Sequence, residues 1–273
     1  MEQAHTFKWQ LDSDFSINRS CWKPPICFPL HLHDGYELYY LISGNVTYHI
    51  EGSIYELEKN DLLIIHGQEL HHPVVQSGEP YERITLHFTK EYLSGFDHYQ
   101  YNLLKCFENR EYGTSNRIEA NTGKVAGILS MISTIEKLNN CDSITKEIEM
   151  KVALIQLLLT INSLYEEKAE FNGYSDQQIR QVIQYINQNL GSKLSLEMLS
   201  SKLYINKHYL CHKFKKDTGF TLIEYINYKR IHKALSLMKN GMTATEAAQT
   251  CGFNDYSNFY RTFKKYMGKA PSE

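Results

Sequence analysis

The sequence predicts a multidomain protein with an N-terminal all-β barrel, a helical segment and a C-terminal all-α domain. Three observations predict this fold class. Short alternating apolar runs occupy residues 15–90, apolar residues then recur at steps of three and four, and two related helical units follow. With 273 residues, the chain is long enough for two modest domains that each have a core.

Four candidate strands predict the barrel. They are YELYYLI (36–42), NVTYHIEG (45–52), DLLIIH (61–66) and ERITLHF (82–88), which are rich in β-branched and aromatic residues. Turn-forming residues such as Ser43-Gly44, Glu51-Gly52 and Lys59-Asn60 separate these runs. Many strands at hairpin spacing favour an antiparallel barrel or sandwich over a parallel sheet.

Two helices are predicted after the barrel, over residues 122–138 and 144–167, because their apolar residues recur with helical spacing. The second helix has a wide apolar stripe made of Ile148, Val152, Ile155, Leu158, Leu159, Ile161 and Leu164. We expect the stripe to pack on the barrel, and its width also fits a share in a subunit interface.

The remainder of the chain reads as six helices. They are predicted over residues 176–189, 195–203, 207–217, 221–238, 243–251 and 256–266. From Ser175 onward the chain has 15 basic and 7 acidic residues, a net charge of +8, which leaves −10 for the preceding part of a chain of net charge −2. A basic half joined to an acidic half suggests that the C-terminal part binds a polyanion.

Residues 195–219 and 243–268 repeat one unit at a shift of 48 or 49 positions. The matching pairs are Ser200 and Ala248, Asn206 and Asn254, Leu210 and Phe259, Phe214 and Phe263, and Gly219 and Gly268. Each unit contains a helix, a short turn with an asparagine cap, and a basic helix. This is the helix-turn-helix arrangement that places a second helix in the DNA major groove.

Helical phase predicts which side chains face DNA. Leu210 with Phe214, and Phe259 with Phe263, lie one turn apart and should face the core. The candidate DNA-binding residues are then Lys207, His208, Cys211, His212, Lys215, Tyr256, Ser257, Asn258, Tyr260, Arg261 and Lys264. Arg261 can donate two hydrogen bonds to a guanine edge, whereas the lysines suit phosphates.

The C-terminal part resembles the DNA-binding domain of AraC-type transcription regulators over nearly its whole length. The resemblance lies in FKK..G of the first unit, KRI...A..L of the helix 221–238, and the ending GF.....F.R.FKK..G.AP.E. It implies an activator that contacts RNA polymerase, with a cupin-like sensor at the N-terminus and helices that pair subunits. Position 200 is Ser where alanine is commoner in the family. The recognition positions vary across the family, so the resemblance does not predict the operator sequence.

This resemblance sets the predicted domains. Residues 1–115 form a cupin-like sensor, 116–172 a helical linker and dimerisation segment, and 173–273 the DNA-binding domain. Residues 31–44, HLHDGYELYYLISG, also resemble the first cupin motif, and a partial second motif has His66-Gly67 and His71. The candidate residues of an effector pocket are His31, His33, Glu37, Tyr39, Tyr48 and His71.

The same motif leaves a metal site open as an alternative. His31 and His33 alternate on a strand and face one side, so with Glu37 and His71 they could bind Fe, Mn, Zn or Ni. The second motif is degenerate, because HGQE stands where a proline-glycine turn is usual. We therefore expect a fold motif without a metal or other cofactor.

The six cysteines, Cys21, Cys27, Cys106, Cys141, Cys211 and Cys251, form no CxxC pair, and the N-terminus lacks a signal-like segment. The longest apolar stretch, 152–161, is too short to span a membrane. We therefore expect a cytoplasmic chain that does not contact membranes.

The leading hypothesis is a dimeric, effector-responsive activator of sugar or small-metabolite genes, with no enzymatic activity. Its expected partners are promoter DNA, a small effector such as a sugar, RNA polymerase and a second copy of the chain. The alternatives are a metal-dependent cupin enzyme with a DNA-binding tail, and a constitutive dimeric DNA-binding protein whose barrel only pairs subunits.

Overall fold

The computed structural model of the chain describes residues 13–24, 26–76, 78–96, 100–120, 125–167 and 176–271. The strands are β1 (Phe15–Trp22), β2 (Ile26–Cys27), β3 (Tyr36–Ser43), β4 (Val46–Ile50), β5 (Ser53–Leu57), β6 (Leu62–His66), β7 (His71–Val75), β8 (Tyr81–Phe88) and β9 (Arg117–Ile118). Positions 122–124 of the first predicted linker helix and the predicted boundary at 172–173 lie outside the described residues.

The strands form two antiparallel sheets that face each other. The first sheet has the order β1-β8-β3-β6-β9 and the second the order β2-β7-β4-β5. Tyr39 and Leu63 of the first sheet meet Tyr48 and Tyr55 of the second in the core between the sheets. The predicted antiparallel all-β domain is thus confirmed, and each of the four candidate strands is present.

The strand predicted over residues 45–52 ends at Ile50 in the structure, because a hairpin turn there leads into β5. Glu51 (φ 47°) and Gly52 (φ 76°) both adopt positive φ, as the two central residues of a type I′ turn require. A side chain at positive φ is uncommon, so the position of Glu51 indicates that tertiary contacts hold it there. Strand β5 was not predicted separately because the turn that precedes it was read as the end of β4.

Three helices follow or interrupt the barrel: α1 (Lys105–Glu108), α2 (Val125–Asn139) and α3 (Lys146–Glu167). Helices α2 and α3 cover the outer face of the five-stranded sheet. Ile128 and Ile132 of α2 and Leu154 of α3 pack with Leu38 and Leu86 of the strands. Strand β3 is therefore buried on both faces, which explains its nearly continuous apolar run.

The apolar stripe of α3 is only partly packed on the barrel, so that prediction was wrong in part. Ile148, Val152 and Leu159 are 67%, 48% and 45% exposed, whereas Leu158 and Ile161 are fully buried. The buried face of α3 is centred on a neighbouring row that contains Leu154, Leu158 and Ile161. By length and composition alone, Lys146–Glu166 is also apolar enough to cross a membrane, although 39% of its most apolar window is buried within the structure.

The C-terminal part contains α4 (Gln177–Gln188), α5 (Leu196–Leu203), α6 (Lys207–Thr218), α7 (Leu222–Lys239), α8 (Ala244–Thr250) and α9 (Tyr256–Met267). The six predicted helices are confirmed, with ends within two residues. Arg230 of α7 joins the two helical units: its guanidinium donates to the carbonyl oxygens of Leu190 and Ser192 and lies over the ring of Phe253.

A buried ion pair closes one end of the barrel. The carboxylate of Glu69, which is fully buried, accepts two hydrogen bonds of 2.5 Å from Arg110. It also accepts from the backbone N–H groups of His66 and Gly113 and from the amide of Asn116. Glu69 thus ties the loop before β7 to the segment that leads to β9.

Replacing one member of this pair should destabilise the fold, because a buried carboxylate without its countercharge is costly. We expect Arg110→Ala to lower the free energy of unfolding by about 3–5 kcal/mol. Equilibrium urea unfolding measures the loss. The control is Arg19→Ala, whose half-exposed side chain pairs with Glu82 and should contribute about 1 kcal/mol or less. Equally small losses of unfolding free energy in the two variants would contradict the expectation that the buried pair stabilises the fold more than the exposed pair.

Candidate functional site

The first helix-turn-helix unit is built by local capping. Ser195 caps α5 by accepting from the backbone N–H of Met198, and Asn206 caps α6 by accepting from His208 and Tyr209. In the turn between them, the hydroxyl of Ser200 donates to the carbonyl oxygen of Ile205 at 2.6 Å. Ser200 therefore serves as a small residue that also satisfies a turn carbonyl.

The second unit has the same plan with one correction. Thr243 and Glu246 form a capping box at the start of α8. Helix α9 is capped by Asp255, whose side chain accepts from the backbone N–H of Asn258, and not by the predicted Asn254. The extra residue in this turn moves the capping position to a shift of 49, so Asp255 corresponds to Asn206.

The recognition faces of α6 and α9 match the helical phase read from the sequence. Leu210, Phe214, Phe259 and Phe263 are buried. All eleven candidate DNA-binding residues are exposed, namely Lys207, His208, Cys211, His212, Lys215, Tyr256, Ser257, Asn258, Tyr260, Arg261 and Lys264. Each helix thus presents a polar face to solvent, with Lys207 and Lys215 on α6 and Arg261 and Lys264 on α9.

Helix α7 connects the two units and is more buried than a simple linker. Its side chains Tyr228, Lys229 and His232 are at most 5% exposed, because α7 packs on both helical units and on the barrel. With 18 residues it spans about 27 Å at 1.5 Å per residue. The barrel therefore contacts the element that sets the separation of α6 and α9.

A buried polar contact between the barrel and the C-terminal helical part is centred on Glu51. Its carboxylate, in the β4–β5 turn, accepts hydrogen bonds from Tyr225 and Lys229 of α7. It also accepts from the backbone N–H of Leu70 at 2.7 Å, and Lys229 donates to the carbonyl oxygen of Gln68 at 2.7 Å. Burial, and then the charge of Glu51, raise the pKa of Tyr225 well above its ordinary value, so this phenol stays a donor.

Apolar contacts surround this polar centre. Leu32 and Leu70 of the barrel lie in the core of the C-terminal helical part, with exposures of 0% and 2%. Gly52 lies so close to α4 that an added Cβ would come within 2.6 Å of the side chain of Ile183. The two domains are therefore packed as one unit through α4, α6 and α7.

A cavity of about 350 Å³ lies at this junction. Gln68 and Tyr112 line it from the barrel side, and Lys229, His232 and Lys233 line it from α7. None of the effector-pocket candidates named from the sequence lines this cavity.

The sequence-predicted barrel residues converge around one carboxylate. Oε2 of Glu37 lies 2.9 Å from Nε2 of His33 and 3.2 Å from Nε2 of His71. The ring of His31 lies 4.3 Å from that of His71, measured between centroids. His31, His33, Glu37 and His71 are thus brought together, as the motif predicted.

His87 is a member of this cluster that sequence reasoning missed. Its Nε2 lies 3.2 Å from Oε2 of Glu37, because β8 pairs with β3 in a register that sets His87 opposite Glu37. Ring nitrogens of His33 and His87 with a carboxylate oxygen of Glu37 form one compact donor group, and His31, His71 and the same carboxylate form another, with all donor atoms in each within 4.8 Å. The strand ERITLHF was recognised, but only pairing reveals which way its histidine faces.

The charge state of the cluster follows from its burial and its neighbours. Burial favours protonation of Glu37, but His87 and the other imidazoles lower the pKa of its carboxyl well below the ordinary value. Burial and the nearby His71 lower the pKa of His31 well below its ordinary range. At neutral pH the cluster therefore holds a carboxylate beside the neutral His31 imidazole.

The two tyrosines named as pocket residues belong to the barrel core. Tyr39 and Tyr48 are fully buried, and the hydroxyl of Tyr39 lies 2.9 Å from that of Tyr81. Arg83 lies over the rings of Trp22, Phe28 and Tyr81 at 4.7–5.7 Å. The histidine cluster adjoins this aromatic layer, since the ring of Tyr48 stacks on that of His71 with 6.2 Å between centroids.

Residues 26–100 match a family described as an AraC-like ligand binding domain, and residues 199–273 match a helix-turn-helix domain family. An uncharacterized HTH-type transcriptional regulator of Escherichia coli (strain K12), YdiP, is 24% identical over 252 residues, which cover 89% of this chain and 79% of that protein.

A shorter match is to the transcriptional regulatory protein HptR of Staphylococcus aureus (strain bovine RF122 / ET3-1). The two are 31% identical over 100 residues, or 37% of this chain and 40% of HptR, so the match spans less than half of that protein. Among solved structures, apo ToxT of Vibrio cholerae strain SCE256 is 16% identical, with 96% of each chain covered and a TM-score of 0.42.

The Glu51 contact can be tested by removing its charge. We expect Glu51→Gln to loosen the barrel from α7 and to raise amide hydrogen exchange in peptides that contain Leu70 or the start of α7. The control is Asp34→Asn, which breaks an exposed pair with Lys239 across the same two domains and should change exchange little. Unchanged exchange in Glu51→Gln would show that the apolar contacts suffice for docking.

Proposed function

Because the chain is an AraC-type DNA-binding transcription regulator with an AraC-like ligand-binding domain, and not an enzyme, we propose that α6 and α9 bind promoter DNA under control of a ligand held by the barrel. The observation that carries the proposal is the repeated exposed polar face on two helices whose apolar faces are buried. The net charge of +8 from Ser175 onward supports it.

Within this proposal, the two recognition helices read adjacent major-groove segments. Helix α7 holds them apart over about 27 Å, which is comparable to one DNA turn of about 34 Å. Arg261 contacts a base edge, whereas Lys207, Lys215 and Lys264 contact phosphates. His212 and Tyr260 have hydroxyl or ring donors for either kind of contact.

We propose a homodimer that forms through the exposed side of α3. Val152 lies four residues after Ile148 and Leu159 seven residues after Val152, so the three form one apolar row on this side of the helix. Ile144, in the turn just before the helix, is also fully exposed. A row of this kind on a solvent face fits a self-complementary contact between two copies.

The finer expectations from the family resemblance remain predictions. They are activation through contact with RNA polymerase, regulation of sugar or small-metabolite genes, and a cytoplasmic location. Free thiols at Cys21, Cys106, Cys141, Cys211 and Cys251 support the location. A constitutive DNA-binding protein is the remaining alternative, and it predicts equal promoter affinity with and without any ligand.

The DNA interface is tested on a promoter fragment identified by mapping bound genomic sites. We expect Arg261→Ala to weaken specific binding by about 1–3 kcal/mol and to relax preference at one base position. Lys264→Ala should weaken binding to all sequences and reduce the salt slope by about 1. Fluorescence anisotropy measures both. The control is Lys137→Ala, which changes an exposed residue of α2. Wild-type affinity in both the Arg261 and the Lys264 variant would contradict the assignment of α9 as a DNA-binding helix.

The dimer is tested by placing a charge in the apolar row. We expect Val152→Asp and Leu159→Asp to convert the protein to a monomer, because a buried, unpaired carboxylate at the contact is costly. Sedimentation equilibrium measures the mass. Ser130→Asp on the exposed side of α2 should leave the mass unchanged, and a dimer that survives both α3 changes must use another surface.

A further inference from the structure

The two helix-turn-helix units differ at the residue on which each turn is built. In each turn the backbone N–H of the residue that enters the core, Ile205 or Phe253, donates to the carbonyl oxygen five residues earlier at 3.0 Å. The residue just before it adopts positive φ, with 56° at Tyr204 and 80° at Gly252. The two turns therefore have the same backbone, with tyrosine in the first unit and glycine in the second.

Glycine is the residue that this turn favours, because a Cβ at positive φ is sterically disfavoured. Gly252 is also enclosed: an added Cβ would lie 2.8 Å from the side chain of Arg230 and 2.8 Å from the carbonyl oxygen of Leu190. The turn of the first unit is open instead, and Tyr204 is 94% exposed. Packing within the chain therefore does not offset the unfavourable backbone conformation of Tyr204.

Tyr204 lies among basic residues at the N-terminal end of the first recognition helix. Asn206 caps α6, and Lys207 is the first residue of that helix. Lys202 and Lys207 are both exposed. The ammonium of Lys207 lies 3.8 Å from a carboxylate oxygen of Glu197, whose side chain is 69% exposed, and such a pair holds the lysine only weakly. The turn thus combines an exposed aromatic ring with two available cations.

This combination suits the sugar-phosphate backbone of DNA. The N-terminal residues of a recognition helix contact base edges, so the turn before that helix lies beside the phosphates at the edge of the groove. Tyrosine hydroxyls and lysine ammonium groups both bind phosphate oxygens. The second unit lacks this set, because Thr250, Gly252 and Tyr256 occupy the equivalent positions.

We propose that the turn of the first unit is a DNA contact in which the hydroxyl of Tyr204 donates to a backbone phosphate and its ring packs on the adjoining deoxyribose. Lys202 and Lys207 bind neighbouring phosphates. The inference rests on the proposed function, and it adds Tyr204 and Lys202 to the interface. A tyrosine is retained where the fold favours glycine because the side chain contributes to binding at the expense of stability.

The two units then have different parts in binding. The contact at Tyr204 positions the chain on the backbone and strengthens binding without adding sequence information. The second unit has no such contact at Gly252, and its Arg261 reads a base edge. Protection of the DNA backbone should accordingly extend further on the side of α6 than on the side of α9.

Stability and DNA affinity should change in opposite directions in Tyr204→Gly. We expect a melting temperature about 2–4 °C higher, because glycine adopts this φ without strain. Promoter affinity should fall about tenfold. Affinity for a non-specific duplex should fall by the same factor, because a backbone contact does not depend on sequence. Thermal unfolding and fluorescence anisotropy of the full chain measure these effects.

Two further variants separate the parts of the contact. Tyr204→Phe keeps the ring and the backbone conformation, and loss of the hydroxyl should weaken binding to both duplexes about threefold. Lys202→Ala should weaken binding to both duplexes and reduce the salt slope by about 1, because one ammonium no longer displaces a counterion. Tyr204→Gly should leave the salt slope unchanged, since the phenol is uncharged.

The matched control is Asn60→Gly. Asn60 also has positive φ, 72°, but it lies in the turn before β6 of the barrel. Its replacement by glycine relieves the same kind of backbone strain far from the recognition helices. The melting temperature should not fall, and affinity for both duplexes should be that of the wild type.

Three results overturn the inference. If the wild type binds the promoter and both Tyr204 variants bind it equally tightly, Tyr204 does not contact DNA, and the proposed function stands. If these variants keep wild-type DNA affinity but lose transcription in a purified assay, the turn binds a protein instead. A lower melting temperature in Tyr204→Gly would show that the fold itself requires the tyrosine. A wild-type chain that binds neither duplex contradicts the proposed function, and this inference fails with it.

Discussion

The carboxylate of Glu51 is the contact on which the arrangement of the two domains depends. It is buried at a hairpin turn, and it receives the Lys229 ammonium, the Tyr225 hydroxyl and the N–H of Leu70. A buried charge is tolerated only with such partners, so the barrel and α7 must stay together for this turn to be stable. The positive φ of Glu51 is held by the same contacts, because a side chain there is otherwise disfavoured.

Because the barrel packs against the C-terminal helices, the short segment from His31 to His33 contacts two different parts of the protein. Its histidines face the barrel cluster, and Leu32 between them enters the core of the DNA-binding domain. Alternation along an extended segment produces both contacts with three residues. The cluster and the core around α7 are therefore only one peptide unit apart at this segment.

Helix α3 shows how the packing of one helix leaves a second surface. One face packs on the strands through Leu154, Leu158 and Ile161, and the row with Val152 and Leu159 remains in solvent. The proposed dimer contact lies on α3, whereas the proposed DNA contacts lie on α6 and α9. The protein can therefore use separate surfaces for pairing, ligand binding and DNA binding.

The sequence by itself determined the elements with a local signature. The helix-turn-helix repeat, the buried pairs such as Phe259 and Phe263, and the four principal strands follow from periodicity and capping residues, which depend on neighbours a few positions away. Tertiary structure alone decided that His87 joins Glu37, that Glu51 binds Lys229, and which row of α3 is buried. Those facts depend on strand register and domain packing between residues far apart in the chain, and no local pattern encodes such pairings.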